Sequence, residues 1–134
     1  MSYLIDTHIF IWLMENSKKV SPRIKTLLSS PSINVFISIV SIWEIVIKQT
    51  KGQLKTPKNI EESIHKAGFK ILPIEISHVL GLKELPLHHK DPYDRMLISQ
   101  AQAESLTLIT SDVKIWKYEQ VSTGSHKKLS LIKA

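Results

Sequence analysis

Scarce acids are the residues of this chain best suited to chemistry. There are 12 Asp and Glu against 18 Lys and Arg, and four of the acids stand where an apolar run gives way to a helical pattern. Asp6 follows Tyr3-Leu4-Ile5, and Glu44 comes soon after Val35-Phe36-Ile37-Ser38. Asp94 closes Asp91-Pro92-Tyr93-Asp94, and Asp112 follows Leu106-Thr107-Leu108-Ile109-Thr110. Carboxylates brought close raise one another's pKa and oppose folding unless a cation compensates them. Their hard oxygens suit Mg²⁺ or Mn²⁺, ions that keep several waters and bind phosphate oxygens. Such an ion lowers the pKa of a bound water and stabilises a leaving oxygen. An acidic cluster on a basic protein therefore points to metal-dependent phosphodiester hydrolysis.

Convergence of these acids requires a particular set of elements. The patterning predicts strands at 3–5, 34–39, 70–74 and 106–110, and helices at 7–14, 22–28, 41–51, 60–67, 77–85, 91–105 and 113–118. Pro22 suits a first helical position with Ser21 as its cap. Residues 34–39 are β-branched and aromatic, as in a strand. Strands alternating with helices predict a parallel sheet with helices on both faces. In such sheets ligands bind beyond the carboxyl ends of the strands. From Val121 onward the pattern fades, and residues 128–132 read as an edge strand or a tail. Trp12, Trp43 and Trp116 fall within helices and are expected in the core.

Each acid also has a plain structural use. Asp6 and Asp112 suit the caps of the helices that follow them. Ser41-Ile42-Trp43-Glu44 reads as a capping box, and Glu44 can pair with Lys48 one turn on. Asp91 makes an N-cap, with Pro92 next and Asp94 at the third helical position. Capping accounts for acids at helix starts; it does not require four of them to share one sheet edge.

The remaining polar residues say less. Lys48, Lys51, Lys55 and Lys58 form a run free of acids that could track a phosphate backbone, or be a solvated helix end and loop. Arg95 beside Asp94 could hold a phosphate or orient a carboxylate. His88 and His89 either contact substrate or are ordinary loop residues, and His8, His65, His78 and His126 show no paired ligand spacing. Lys127 and Lys128 read as solvated charge. Cysteine is absent, which excludes disulfides and thiolate metal sites and argues against structural zinc. The four glycines, at 52, 68, 81 and 124, make no phosphate-cradling loop.

A chain of 134 residues is one domain of ordinary size, here taken as 1–134. Its 43% apolar and 22% charged residues are those of a globular protein. A net charge of +6 favours polyanionic partners. The most apolar stretch, 33–47, is broken by Asn34, Ser38, Ser41 and Glu44, so no membrane span and no signal peptide are expected. The expected location is the cytoplasm.

Four segments, in this order, resemble the PIN domain, specifically the VapC-type toxins of bacterial toxin–antitoxin systems. They are Tyr3-Leu4-Ile5-Asp6-Thr7-His8, Ile37-Ser38-Ile39-Val40-Ser41-Ile42-Trp43-Glu44-Ile45, His89-Lys90-Asp91-Pro92-Tyr93-Asp94-Arg95-Met96-Leu97-Ile98 and Leu108-Ile109-Thr110-Ser111-Asp112. The match spans about residues 3–118; the end of the chain departs from the pattern. The resemblance implies a three-layer α/β fold with a central parallel sheet and an acidic pocket at its carboxyl edge. It implies a Mg²⁺- or Mn²⁺-dependent endoribonuclease that leaves 5′-phosphate and 3′-hydroxyl ends, inhibits translation, is silenced by a cognate antitoxin and forms homodimers. Asp6, Glu44, Asp94 and Asp112 then correspond to the catalytic, metal-holding quartet, with Asp6 and Asp94 as the direct ligands. Thr7, Thr110 and Ser111 would be supporting polar groups, Asp91 chiefly a cap, and Arg95, Lys48, Lys51 and Lys55 candidate RNA contacts.

Two rival readings stand beside this one. A phospho-acceptor receiver domain would want two adjacent acids after the first strand and a late Lys, where Asp6-Thr7 and Thr110-Ser111-Asp112 stand instead. A catalytically silent PIN-like module would bind RNA or an antitoxin without turnover.

Overall fold

Tyr3, Leu4 and Ile5 alternate between two faces, yet all three are buried. That is the signature of a strand inside a sheet covered on both sides. The computed structural model describes residues 1–119 and 129–134. In chain order the elements are β1 (Ser2–Ile5), α1 (Thr7–Met14), α2 (Pro22–Leu28), β2 (Asn34–Ser38), α3 (Ile39–Thr50), α4 (Ile60–Ala67), β3 (Lys70–Leu72), α5 (Ile76–Gly81), α6 (Pro92–Glu104), β4 (Thr107–Thr110), α7 (Val113–Trp116) and β5 (Ser130–Lys133). A 3-10 turn, Leu82–Glu84, follows α5.

The sheet order is β3-β2-β1-β4-β5, and every pairing is parallel. The chain builds outward from β1 through β2 to β3, then crosses back to lay β4 and β5 on the other side. This reversal opens a crevice between the carboxyl ends of β1 and β4. Ile5 pairs with Ile109, so Asp6, the first residue past β1, stands beside Thr110, the last of β4, at that crevice.

Period-two alternation sorts the core into two layers. Ile5, Val35, Ile37 and Ile109 pack with Ile9 and Phe10 of α1, Ile24 of α2 and Ile64 of α4. Leu4 and Leu108 face the other way, onto Leu97 and Ile98 of α6 and Ile115 of α7. Each such Leu or Ile contributes about 1.5–3 kcal/mol by leaving water. Helix α3 gives Ile45 to one layer and Val40 to the other, which pins it against both α1 and α6. The result is the expected three-layer α/β architecture.

Several boundaries differ from expectation for local reasons. The strand expected at 34–39 ends at Ser38, where its neighbour β3 ends too, in the pairing Ser38–Leu72. Pro73 follows and has no N–H to continue the ladder. Ser38 then caps α3: its hydroxyl accepts from Val40 N at 3.0 Å and donates to Gln100 Oε1 at 2.6 Å. The capping box expected at Ser41 and Glu44 is therefore absent. Ser41 is buried inside α3, and Glu44 lies in its second turn. The helix expected at 77–85 is divided into α5 and the 3-10 turn. The C-terminal segment forms an edge strand, β5, paired with β4. Residues 120–128, including His126, Lys127 and Lys128, lie outside the described residues.

Trp43 is not in the core. It is 55% exposed, because α3 turns Val40, Ser41, Glu44 and Ile45 inward and leaves Trp43 on an uncovered face. Trp12 and Trp116 are half-buried. Among the described residues no helix is long and apolar enough to cross a membrane.

Candidate metal centre

One wall of the crevice is built by strand ends. Asp6 caps α1, its Oδ1 accepting from Ile9 N at 2.8 Å. Its Oδ2 accepts a short hydrogen bond from the Thr110 hydroxyl. The same Thr110 oxygen accepts from Asp112 N at 3.0 Å, so one side chain ties the first acid to the last. Asp112 in turn caps α7 through Lys114 N at 2.8 Å. Asp6 is only 3% exposed. Burial pushes its carboxyl above the ordinary 3.8, while the bonds from Thr110 and Ile9 hold it back.

The facing wall is built by helices. Glu44 is 4% exposed, and its Oε2 accepts from Lys48 Nζ at 2.8 Å. The other oxygen, Oε1, is buried with no hydrogen-bond partner among the described residues. Burial works against the Lys48 charge, but the bond and charge of Glu44 outweigh it and raise its pKa. Asp91 caps α6, its Oδ1 accepting from Asp94 N at 3.0 Å, which sets Asp94 in the first turn. The Asp94 carboxyl is pushed up to about 8, first by burial, then by the charges of Asp91, Glu44, Asp6 and Asp112. Five carboxyl groups from four parts of the chain thus meet in one electrostatic neighbourhood.

Between the walls stands His89, 8% exposed. Its Nε2 lies 2.8 Å from Asp94 Oδ2 and 3.1 Å from Asp112 Oδ2. His89 Nε2 and a carboxylate oxygen of each of Asp94 and Asp112 all lie within 4.8 Å of one another. Nothing in the spacing of His89 marked it for this place; its contacts arise from how the loop before α6 folds back.

The donor set fits a hard divalent cation. It is carboxylate oxygen, the chemistry Mg²⁺ and Mn²⁺ prefer. The orphaned Glu44 Oε1 leaves a buried acceptor unsatisfied, an arrangement that costs stability unless a further group meets it. Asp94 held as an acid to about pH 8 is a ligand waiting for positive charge.

The other residues singled out in the sequence take varied places. Thr7 donates to Ser41 Oγ at 2.9 Å, locking α1 to α3 behind the acids. Ser111 is half-buried in the turn from β4 to α7. Arg95 does not face a phosphate site. Its guanidinium donates to the carbonyls of Pro86 at 3.0 Å, Leu82 at 3.2 Å, and Leu85 and His89 at 3.3 Å. Five donors in a planar fork match a folded-back loop, and Arg95 is spent there. Lys48 is held on Glu44, whereas Lys51, Lys55 and Lys58 are exposed beyond the end of α3. Trp43 meets Tyr93 edge-on with ring centroids 5.2 Å apart, so an aromatic pair immediately precedes Glu44 and Asp94 in the chain.

The PIN domain family model matches residues 3–120, and the chain belongs to that family. No curated protein matches the sequence significantly. Among solved structures, it is similar to VapBC2 from Rickettsia felis bound to a DNA fragment from its promoter, at 18% identity and TM-score 0.68 over 98% of both chains. VapBC-1 from nontypeable Haemophilus influenzae is 24% identical, TM-score 0.56, over 87% of this chain and 91% of that one. A toxin–antitoxin complex from Klebsiella pneumoniae is 22% identical, TM-score 0.60, over 85% of this chain and 89% of that one. At these identities the likeness is one of fold.

Proposed function

We propose that this protein is a VapC-type toxin: a Mg²⁺- or Mn²⁺-dependent endoribonuclease silenced by a cognate antitoxin. The observation that carries the reading is the convergence of Asp6, Glu44, Asp94 and Asp112 on the β1–β4 crevice, with a buried Glu44 oxygen that has no partner among the described residues. Asp6 and Asp94 would be the direct ligands, Glu44 and Asp112 completing the site. A divalent cation held there would supply a polarised water and neutralise charge on a phosphodiester. The chain's own residues do the rest. Thr110 fixes Asp6 and Asp112 relative to each other, and Lys48 holds Glu44. The Trp43–Tyr93 pair offers a surface on which an unpaired base can stack, as suits single-stranded RNA. In-line hydrolysis would leave 5′-phosphate and 3′-hydroxyl ends, and loss of an essential RNA would inhibit translation.

The antitoxin rests on the fold's likeness to chains found in toxin–antitoxin complexes. Exposed Ile76, Val79 and Leu80 on α5, with Trp43 and Val46 on α3, support a protein partner, including a second copy of the chain. The cytoplasm is where such a partnership and its RNA would be found.

The test is to express wild type and Asp6→Ala in cells without an antitoxin and sequence new 5′-phosphate RNA ends. A few discrete ends, absent with Asp6→Ala, are expected. Identical profiles, with wild type still able to hold RNA, would replace the nuclease by a silent binding module.

A further inference from the structure

We propose that His89 is a positioning residue for the metal centre: its ring Nε2 clasps Asp112 through a hydrogen bond and stands against Asp94, holding the two at the spacing a cation needs. The inference rests on the metal-centre reading above and assigns a role that the acidic quartet leaves open.

The hydrogen bonds fix which ring nitrogen carries the proton. Asp91 N donates to His89 Nδ1 at 3.3 Å, and a backbone amide can only donate. Nδ1 is therefore an acceptor, and the ring hydrogen sits on Nε2. That hydrogen is shared with Asp112 Oδ2 at 3.1 Å, and Asp94 Oδ2 lies 2.8 Å from the same nitrogen. One ring nitrogen thus stands between a helix acid on α6 and a strand-end acid before α7. Without it, the two acids would lose the group that fixes their separation, and once both are ionised their mutual repulsion would drive them apart. Carboxylates that bind metals are themselves held by hydrogen bonds in this way, and loss of such outer partners lowers metal affinity about 10–100-fold.

The ring is aimed by a built support. The Tyr118 hydroxyl accepts from His88 N and His89 N, both at 3.0 Å, and donates to the Pro86 carbonyl. Arg95 grips the carbonyls of Pro86 and His89 from the other side. Tyr118 is fully buried, so this support is part of the core. With Nδ1 occupied and Nε2 protonated, His89 itself has no free lone pair for the cation. It acts through Asp94 and Asp112.

Two measurements on the full-length, metal-free protein test this. Long-range ¹⁵N–¹H spectra should show His89 as the Nε2–H tautomer, its signals assigned by their absence in His89→Gln. The opposite tautomer would overturn the clasp. Calorimetric titration with Mn²⁺ should then show His89→Ala binding about 10–100-fold more weakly than wild type. His89→Gln, whose amide can donate to the same oxygens, should recover most of the loss. Unchanged or tighter Mn²⁺ binding by His89→Ala, or no recovery with Gln in a variant that melts like wild type, would overturn the positioning role. Failure of wild type itself to bind Mn²⁺ would overturn the metal centre, and this role with it.

Discussion

The two walls of the crevice hold their acids in different ways. On the strand side, Asp6 and Asp112 are fastened by backbone amides and one shared hydroxyl, Thr110. On the helix side, Glu44 projects from the second turn of α3 and Asp94 from the first turn of α6. They rest on one lysine, one histidine and each other's repulsion. Strand ends give fixed geometry because the sheet ladder sets the backbone. Helix faces give adjustable charge, because what surrounds a side chain there is other side chains. The strand wall therefore reads as the frame of the site, and the helix wall as the part a cation completes.

Asp94 offers the sharpest way to break that contrast. Replacing it with Asn should lower RNA cleavage by roughly a thousandfold or more, a loss typical of removing a group made for the transition state. The same change should strengthen the fold without metal. Asp94 keeps its proton to about pH 8 when folded but only to about 3.8 when unfolded. Between those values the folded state binds more protons, so stability falls as pH rises. In thermal melts with chelator, Asp94→Asn should exceed wild type at pH 8, and the gap should close near pH 4. Equal melting at both would mean Asp94 is not strained by its neighbours.

Thr110→Val tests the other wall. It keeps shape but removes the hydroxyl that serves Asp6 Oδ2 and Asp112 N. Denaturant unfolding should show a loss of about 1–3 kcal/mol, the penalty of leaving buried polar groups unpaired. A neutral result would mean the frame does not depend on this link. The smallest effects belong to the lysines outside both walls. Lys51→Ala and Lys55→Ala should each lower the salt dependence of RNA affinity by a slope of about 0.7–1 without changing the cleavage sites. No change in slope would leave them as plain solvated charge.

The correspondence between sequence and structure follows interaction range. Asp6, Asp91 and Asp112 cap helices whose starts were visible in the residues beside them. Ser41 and Glu44 have the spacing of a capping box. The true cap is Ser38, chosen by where β3 runs out. Arg95 beside an acid looked like a phosphate ligand, yet four loop carbonyls hold it. Trp43 suits the core as a large apolar side chain within a helix, and only packing shows which face of that helix the chain covers.

By itself the sequence determined the alternation of strands and helices, the parallel sheet and the acids at its carboxyl edge. These follow from period, propensity and capping, which act over a few residues. The tertiary structure alone decided that β4 lies beside β1, so that Thr110 reaches Asp6. It also decided that Glu44 turns inward with one oxygen unpaired, and that His89 stands between Asp94 and Asp112. Those contacts join residues far apart in the chain, and only the burial of two apolar layers brings them together.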